Sequence, residues 1–183
     1  KGDKWHIALS LEYFTLVNFT LPEAAEDNMT QAVKYALMRH IPFDISHALF
    51  NFHVEQHNGQ LDIAAIVSPK DTIDPLLAPF FEARLNVDTV FPTLAAIAFA
   101  SSEGVFVHLG RDEQEFMLKQ GSRITAHLSS LERDDLGKAN FFNQVVSLAS
   151  NSANPPKTLY VFNEHDDPAQ VLPVDFRAKF PDI

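Results

Sequence analysis

The dipeptide Asn58-Gly59 constrains this chain more than any other feature, because both residues accept the positive φ that a two-residue type I′ turn requires. It lies between two runs of strand-forming residues, Leu49 to Gln56 and Leu61 to Ser68, and so predicts a tight antiparallel hairpin. In the first run Phe50, Phe52 and Val54 fall on one face, and His53, Glu55 and His57 on the other. The second run, Asp62-Ile63-Ala64-Ala65-Ile66-Val67, is apolar on both faces, which places it inside a sheet. A β-sheet covered on both faces needs further strands and helices, and the rest of the chain supplies them.

Trp5 to Leu11 and Tyr13 to Leu21 are rich in β-branched and aromatic residues and read as two strands or one long bent one. From Glu23 the period lengthens: Ala25, Met29, Ala32/Val33, Ala36/Leu37 and Ile41 predict an amphipathic helix that ends at Pro42. Ile73, Leu76/Leu77, Phe80/Phe81 and Leu85 predict a second helix, with Asp74 as N-cap, Pro75 in the first position and Pro79 kinking or shortening it. A short strand, Asp88 to Phe91, and a helix, Thr93 to Ala100, follow. Gly104 to Leu109, Glu113 to Lys119 and Ser122 to Ser129 form a predicted three-stranded meander. Leu136, Ala139, Phe142, Val145/Val146 and Ala149 mark a helix, with Asp134 and Asp135 at its electropositive start, and Thr158 to Phe162 a last strand. The order β-β-β-α-β over residues 104 to 162, after an earlier β-α-β-β-α half, describes an α/β protein of two related lobes, residues 1–100 and 101–183.

Composition then removes whole classes of function. Fourteen basic against 24 acidic residues give a formal net charge of −10, which disfavours a phosphate backbone, so nucleic acid is not an expected partner. The absence of cysteine removes thiol nucleophiles, redox pairs and thiolate metal sites. Six glycines, no two within five residues, leave no dinucleotide fingerprint and no P-loop. The longest apolar stretch, Leu85 to Phe99, carries Asp88 and Pro92 and falls short of a membrane span. The chain starts at Lys1 without an initiator Met, which reads as a piece of something longer.

Candidate chemistry is sparse. His53, Glu55 and His57 offer three metal-ligating groups, but His-Val-Glu-Gln-His is not the HExxH of a zinc hydrolase helix, and a solvated polar strand face is the plainer reading. Glu164-His165-Asp166-Asp167 could likewise hold a cation, yet it sits before Pro168 where polar turn residues belong. His6, His40, His47, His108 and His127 show no spacing that builds a catalytic set. Ser68-Pro69-Lys70 and Ser101-Ser102-Glu103 match neither a nucleophile elbow nor an S-x-x-K pattern, and Asp134/Asp135 and Asp166/Asp167 are more simply a helix start and a turn. The expectation is therefore no catalytic residue, no cofactor site and no metal site.

Two stretches together, Leu21 to Ala100 and Gly104 to Phe162, resemble the cytoplasmic actin-like domains of bacterial pilus and secretion assembly proteins: PilM of type IV pili, the L protein of type II secretion, and fused PilN-like relatives. The landmarks are Leu21-Pro22 at a strand end, Pro42-Phe43 after a helix, Ser68-Pro69-Lys70 after the hairpin, and Val90 in a short strand. The resemblance implies an actin-like (RNase H-like) two-lobed α/β fold, truncated at its N-terminus, since the first phosphate-binding hairpin would precede Trp5. At the second such turn the family's Asp position holds His108, ahead of Leu109-Gly110, and Val161-Phe162 runs into Asn163-Glu164-His165 where a Gly-rich turn would follow. By likeness to the L protein, this implies a non-catalytic scaffold on the cytoplasmic face of the bacterial inner membrane. Its implied partners are the assembly ATPase and other platform proteins, with a homodimer allowed and membrane attachment only through segments outside this sequence. An actin-like ATPase is the alternative, and a metal-dependent hydrolase using His53, Glu55 and His57 a weaker third.

Overall fold

The hairpin forms as its turn residues dictate, with φ of 50° at Asn58 and 74° at Gly59 in the computed structural model. The structure describes residues 4–95, 103–111, 113–121, 123–131, 134–152 and 158–163. Two compact units divide the chain between Thr93 and Leu94.

In the first unit, the hairpin strands β3 (Ala48–His57) and β4 (Gln60–Pro69) join β2 (Thr15–Pro22) in an antiparallel sheet of order β2-β4-β3. The two-faced apolar run thus takes the central place. Helix α1 (Met29–Leu37) covers one face, burying Val33 and Leu37 against Val17, Leu61, Ile63, Ala65 and Val67, with Phe50, Phe52 and Val54 at the margin. The predicted helix from Glu23 is broken: Glu23–Asn28 is a 3-10 segment, and Asn28 at φ −141°, ψ 47° separates it from α1. Ala25 and Met29 still reach the core. Positions three apart fall on one side of either helix type, so over a segment this short the apolar period does not distinguish them.

Strand β1 (Lys4–Leu9) pairs in parallel with β5 (Asn86–Pro92), and α2 (Lys70–Glu82) packs Ile73 and Leu77 against Ile7. The ion pair of Lys4 Nζ with Asp88 Oδ1, 2.7 Å, lies at the surface of this ladder, and the Lys4 hydrogen bond holds the Asp88 carboxyl below its ordinary range. A 3-10 turn, Leu11–Tyr13, separates β1 from β2, which decides for two strands. Helix α2 corrects the expected start at Asp74: it begins at Lys70, directly after β4, and contains both Pro75 and Pro79. Each proline removes a backbone donor from the helix. Burial of Ile73 and Leu77 outweighs that local cost, a case of tertiary packing overriding propensity.

In the second unit, β6 (Gly104–Leu109), β7 (Gln114–Gln120) and β8 (Arg123–Ser130) form the expected meander, and β9 (Leu159–Asn163) pairs in parallel with β6, giving the order β8-β7-β6-β9. Helix α3 (Asp135–Ser150) buries Phe141, Phe142, Val145 and Ala149 against Val105, Val107, Leu109, Phe116 and Leu118. Its N-cap is Asp134, whose Oδ1 accepts from the Gly137 N–H at 2.6 Å. The helix predicted over Thr93 to Ala100 lies mostly outside the described residues. Among those described, no helix is long and apolar enough to cross a membrane.

Nothing lies within 4 Å of where a Gly59 Cβ would sit, so a substitution there meets no clash and its cost is backbone strain alone. Gly59→Val should lower unfolding free energy by roughly 1–2 kcal/mol, whereas Gly59→Asn should cost only a few tenths, measured by urea denaturation. Asp134→Ala should cost about 1 kcal/mol through the lost cap.

Candidate functional site

The ladder of β6 and β7 builds the most distinctive polar group in the structure. Alternation sends Val105, Val107 and Leu109 of β6, with Phe116 and Leu118 of β7, into the core under α3. The intervening residues, Phe106 and His108 on β6 and Glu115, Met117 and Lys119 on β7, are also buried. Phe106 stacks on Tyr160 of β9, with ring centroids 4.8 Å apart. Polar side chains on such a face need partners. Register supplies one: His108 stands directly opposite Glu115, and its Nδ1 lies 3.1 Å from Glu115 Oε2. Glu115 is 0% exposed and His108 7%.

Glu113, half-buried in the turn between these strands, brings a third ligating atom to the pair. One atom each from His108, Glu113 and Glu115 lie within 4.8 Å of one another. Gly110 makes that approach feasible, since a Cβ there would sit 3.3 Å from both Glu113 Cγ and His108 Cε1. Among the described residues this is the group of three His or carboxylate side chains so gathered.

The histidines read as lacking any productive spacing thus include one that the hairpin places against two carboxylates. The signal was present but indirect: with Gly110 in the turn, residues 108 and 115 become cross-strand partners only once the register is fixed. The other candidates stay apart. His53 Nε2 and Glu55 Oε1 are 3.7 Å apart on the exposed face of β3, with side chains 54% and 52% exposed, and His57 is exposed at the strand end. Ser68 is buried and its hydroxyl donates to the Tyr13 carbonyl oxygen at 2.6 Å, a structural bond between β4 and the turn before β2. Asp134 is the α3 cap. Glu164, His165, Asp166, Asp167, Ser101 and Ser102 lie outside the described residues.

An actin-like fold implies a magnesium-bound nucleotide at turns of this kind, and the residues of this turn do not fit one. Magnesium seeks oxygen ligands in octahedral array, and the site offers an imidazole in the place of the expected carboxylate. Phosphates approaching Gly110 would meet Glu113 and Glu115, two carboxylates near the same point.

No family model matches the chain, and no curated protein matches it. Solved structures do. A PilM–PilN type IV pilus biogenesis complex matches at 14% identity and a TM-score of 0.71, covering 97% of this chain and 67% of the other. The cytoplasmic domain of EpsL, an inner membrane component of the type II secretion system of Vibrio cholerae, matches at 14% identity and a TM-score of 0.61, covering 90% of this chain. This chain spans 63% of the EpsL structure's length, under two thirds. The fold is therefore actin-like, and the resemblance read from the sequence and the matched structures name the same proteins.

Removing one partner of a buried hydrogen bond typically costs about 1–3 kcal/mol, and replacing both partners with apolar groups of similar shape can be nearly neutral. His108→Leu should accordingly destabilise the chain by about 2 kcal/mol. The double variant His108→Leu/Glu115→Leu should be more stable than that single variant, as read from urea midpoints.

Proposed function

We propose that this chain is a non-catalytic scaffold domain of an inner-membrane platform that assembles type IV pili or secretes through the type II route, and that it docks the assembly ATPase. The observation that carries the proposal is the pairing of an assembly-protein fold with a phosphate turn occupied by His108 and Glu115. The fold supports the platform role; the turn supports the absence of catalysis, because a buried imidazole and two carboxylates replace the groups that would hold a triphosphate. Other platform proteins are the natural neighbours of such a domain at the cytoplasmic face of the membrane.

The acidic balance, 14 basic to 24 acidic residues, suits a basic partner surface. Charge complementarity chiefly raises the association rate, while the centre of a lasting interface is normally depleted of charge. The docking contact is therefore an apolar patch ringed by acidic residues.

Two measurements test this reading. A ligand at 100 times its dissociation constant stabilises the folded state by about 2.7 kcal/mol. Millimolar ATP with magnesium should leave the melting temperature unchanged, and a clear upward shift would favour the ATPase alternative. In a biosensor, the N-terminal domain of the cognate assembly ATPase should bind at micromolar concentration. The association should slow in half-molar salt, where the Debye length falls to roughly 4 Å, without vanishing. Absence of binding at either salt concentration would remove the docking role.

A further inference from the structure

We infer that His108, Glu113 and Glu115 form a resident binding site for a divalent ion of the zinc class, held by the protein's own side chains and independent of any nucleotide. This does not rest on the assembly role proposed above; it rests on burial, ligand type and spacing at the β6–β7 turn.

Burial is the first ground. Glu115 is fully buried and Glu113 half-buried, with their ligating atoms and that of His108 in one cluster no wider than 4.8 Å. Polar side chains withdrawn from water need polar partners, and a divalent ion is one that all three side chains can share.

Ligand chemistry is the second. One imidazole nitrogen with two carboxylate oxygens suits zinc and its first-row neighbours; magnesium and calcium prefer oxygen alone. The zinc centre that fits has three protein ligands and a water in the fourth position, the open arrangement.

Spacing is the third. With metal–ligand distances near 2.1 Å, neighbouring ligands of a tetrahedral ion lie ~3.4 Å apart. His108 Nδ1 and Glu115 Oε2, at 3.1 Å, already stand at about that separation. Glu113 sits on the turn, where side-chain rotation closes the remaining gap, and Gly110 leaves the space for it to fold toward His108. A simple hydrogen-bonded pair of His108 and Glu115 has no need of Glu113, so that residue separates the two interpretations.

The 183-residue chain, freed of metal with a chelator that is then removed, would be titrated with Zn²⁺ by calorimetry and followed by melting temperature. The expected result is one ion per chain and an upward shift. Glu113→Gln, a change at a half-buried position that leaves the His108–Glu115 pair in place, should weaken binding at least tenfold while circular dichroism stays unchanged. His53→Ala/His57→Ala, on the exposed face of β3, should leave that affinity as it was. Co²⁺ in place of Zn²⁺ should give the intense visible bands of a tetrahedral site, lost in Glu113→Gln. No stoichiometric binding, equal binding by Glu113→Gln, loss of binding in His53→Ala/His57→Ala, or an equal response to Mg²⁺ would each overturn the inference.

Discussion

Burial of both faces of the β6–β7 ladder is the constraint on which the second lobe depends. A strand covered on one side can send its polar residues to water; β6, with all six residues buried, cannot. Val105, Val107 and Leu109 solve this under α3 by apolar packing. On the other face Phe106 stacks on Tyr160, and His108 meets Glu115. A slip of one residue in the register would turn His108 and Glu115 into the apolar core and expel Val107 and Phe116, so core and polar pair enforce the same alignment. That coupling makes the pair part of the fold as well as a candidate site.

Features governed by short-range chemistry were legible in the sequence. Asn58-Gly59 imposes its turn, the two-faced apolar run takes the central position in β2-β4-β3, and Asp134 caps α3. Features in which local preference competes with packing were not. Pro75 looked like a helix start because proline is welcome there, yet α2 begins at Lys70 and tolerates both prolines for the sake of burying Ile73 and Leu77. The 3-10 segment at Glu23–Asn28 was hidden for a different reason, since its apolar residues keep a spacing that an α-helix would share.

The candidate site was the least legible part. His108, Glu113 and Glu115 are separated by five and two positions, a spacing that belongs to no helical or strand motif. They meet because a hairpin returns the chain on itself with Gly110 in the turn. The more visible set, His53, Glu55 and His57, shares one strand face, where alternate residues stand roughly 7 Å apart. Among the described residues these three exposed side chains do not gather their ligating atoms as His108, Glu113 and Glu115 do. Sequence proximity makes the first set visible, and cross-strand pairing gathers the second.

Fold and site answer to different physics, which is why the fold can persist at 14% identity to the matched structures. A core accepts extensive apolar exchange provided volume and pattern are kept. The alternation in β6 and β7 and the two-faced run in β4 meet that condition without any particular residue. A turn that binds phosphate depends on single groups, because each donor or carboxylate acts at one point in space. His108 with Glu115 buried beside it leaves the ladder intact while fixing which groups stand at the turn. The actin-like framework therefore constrains the architecture, whereas the chemistry follows from the few side chains at the end of β6 and the start of β7.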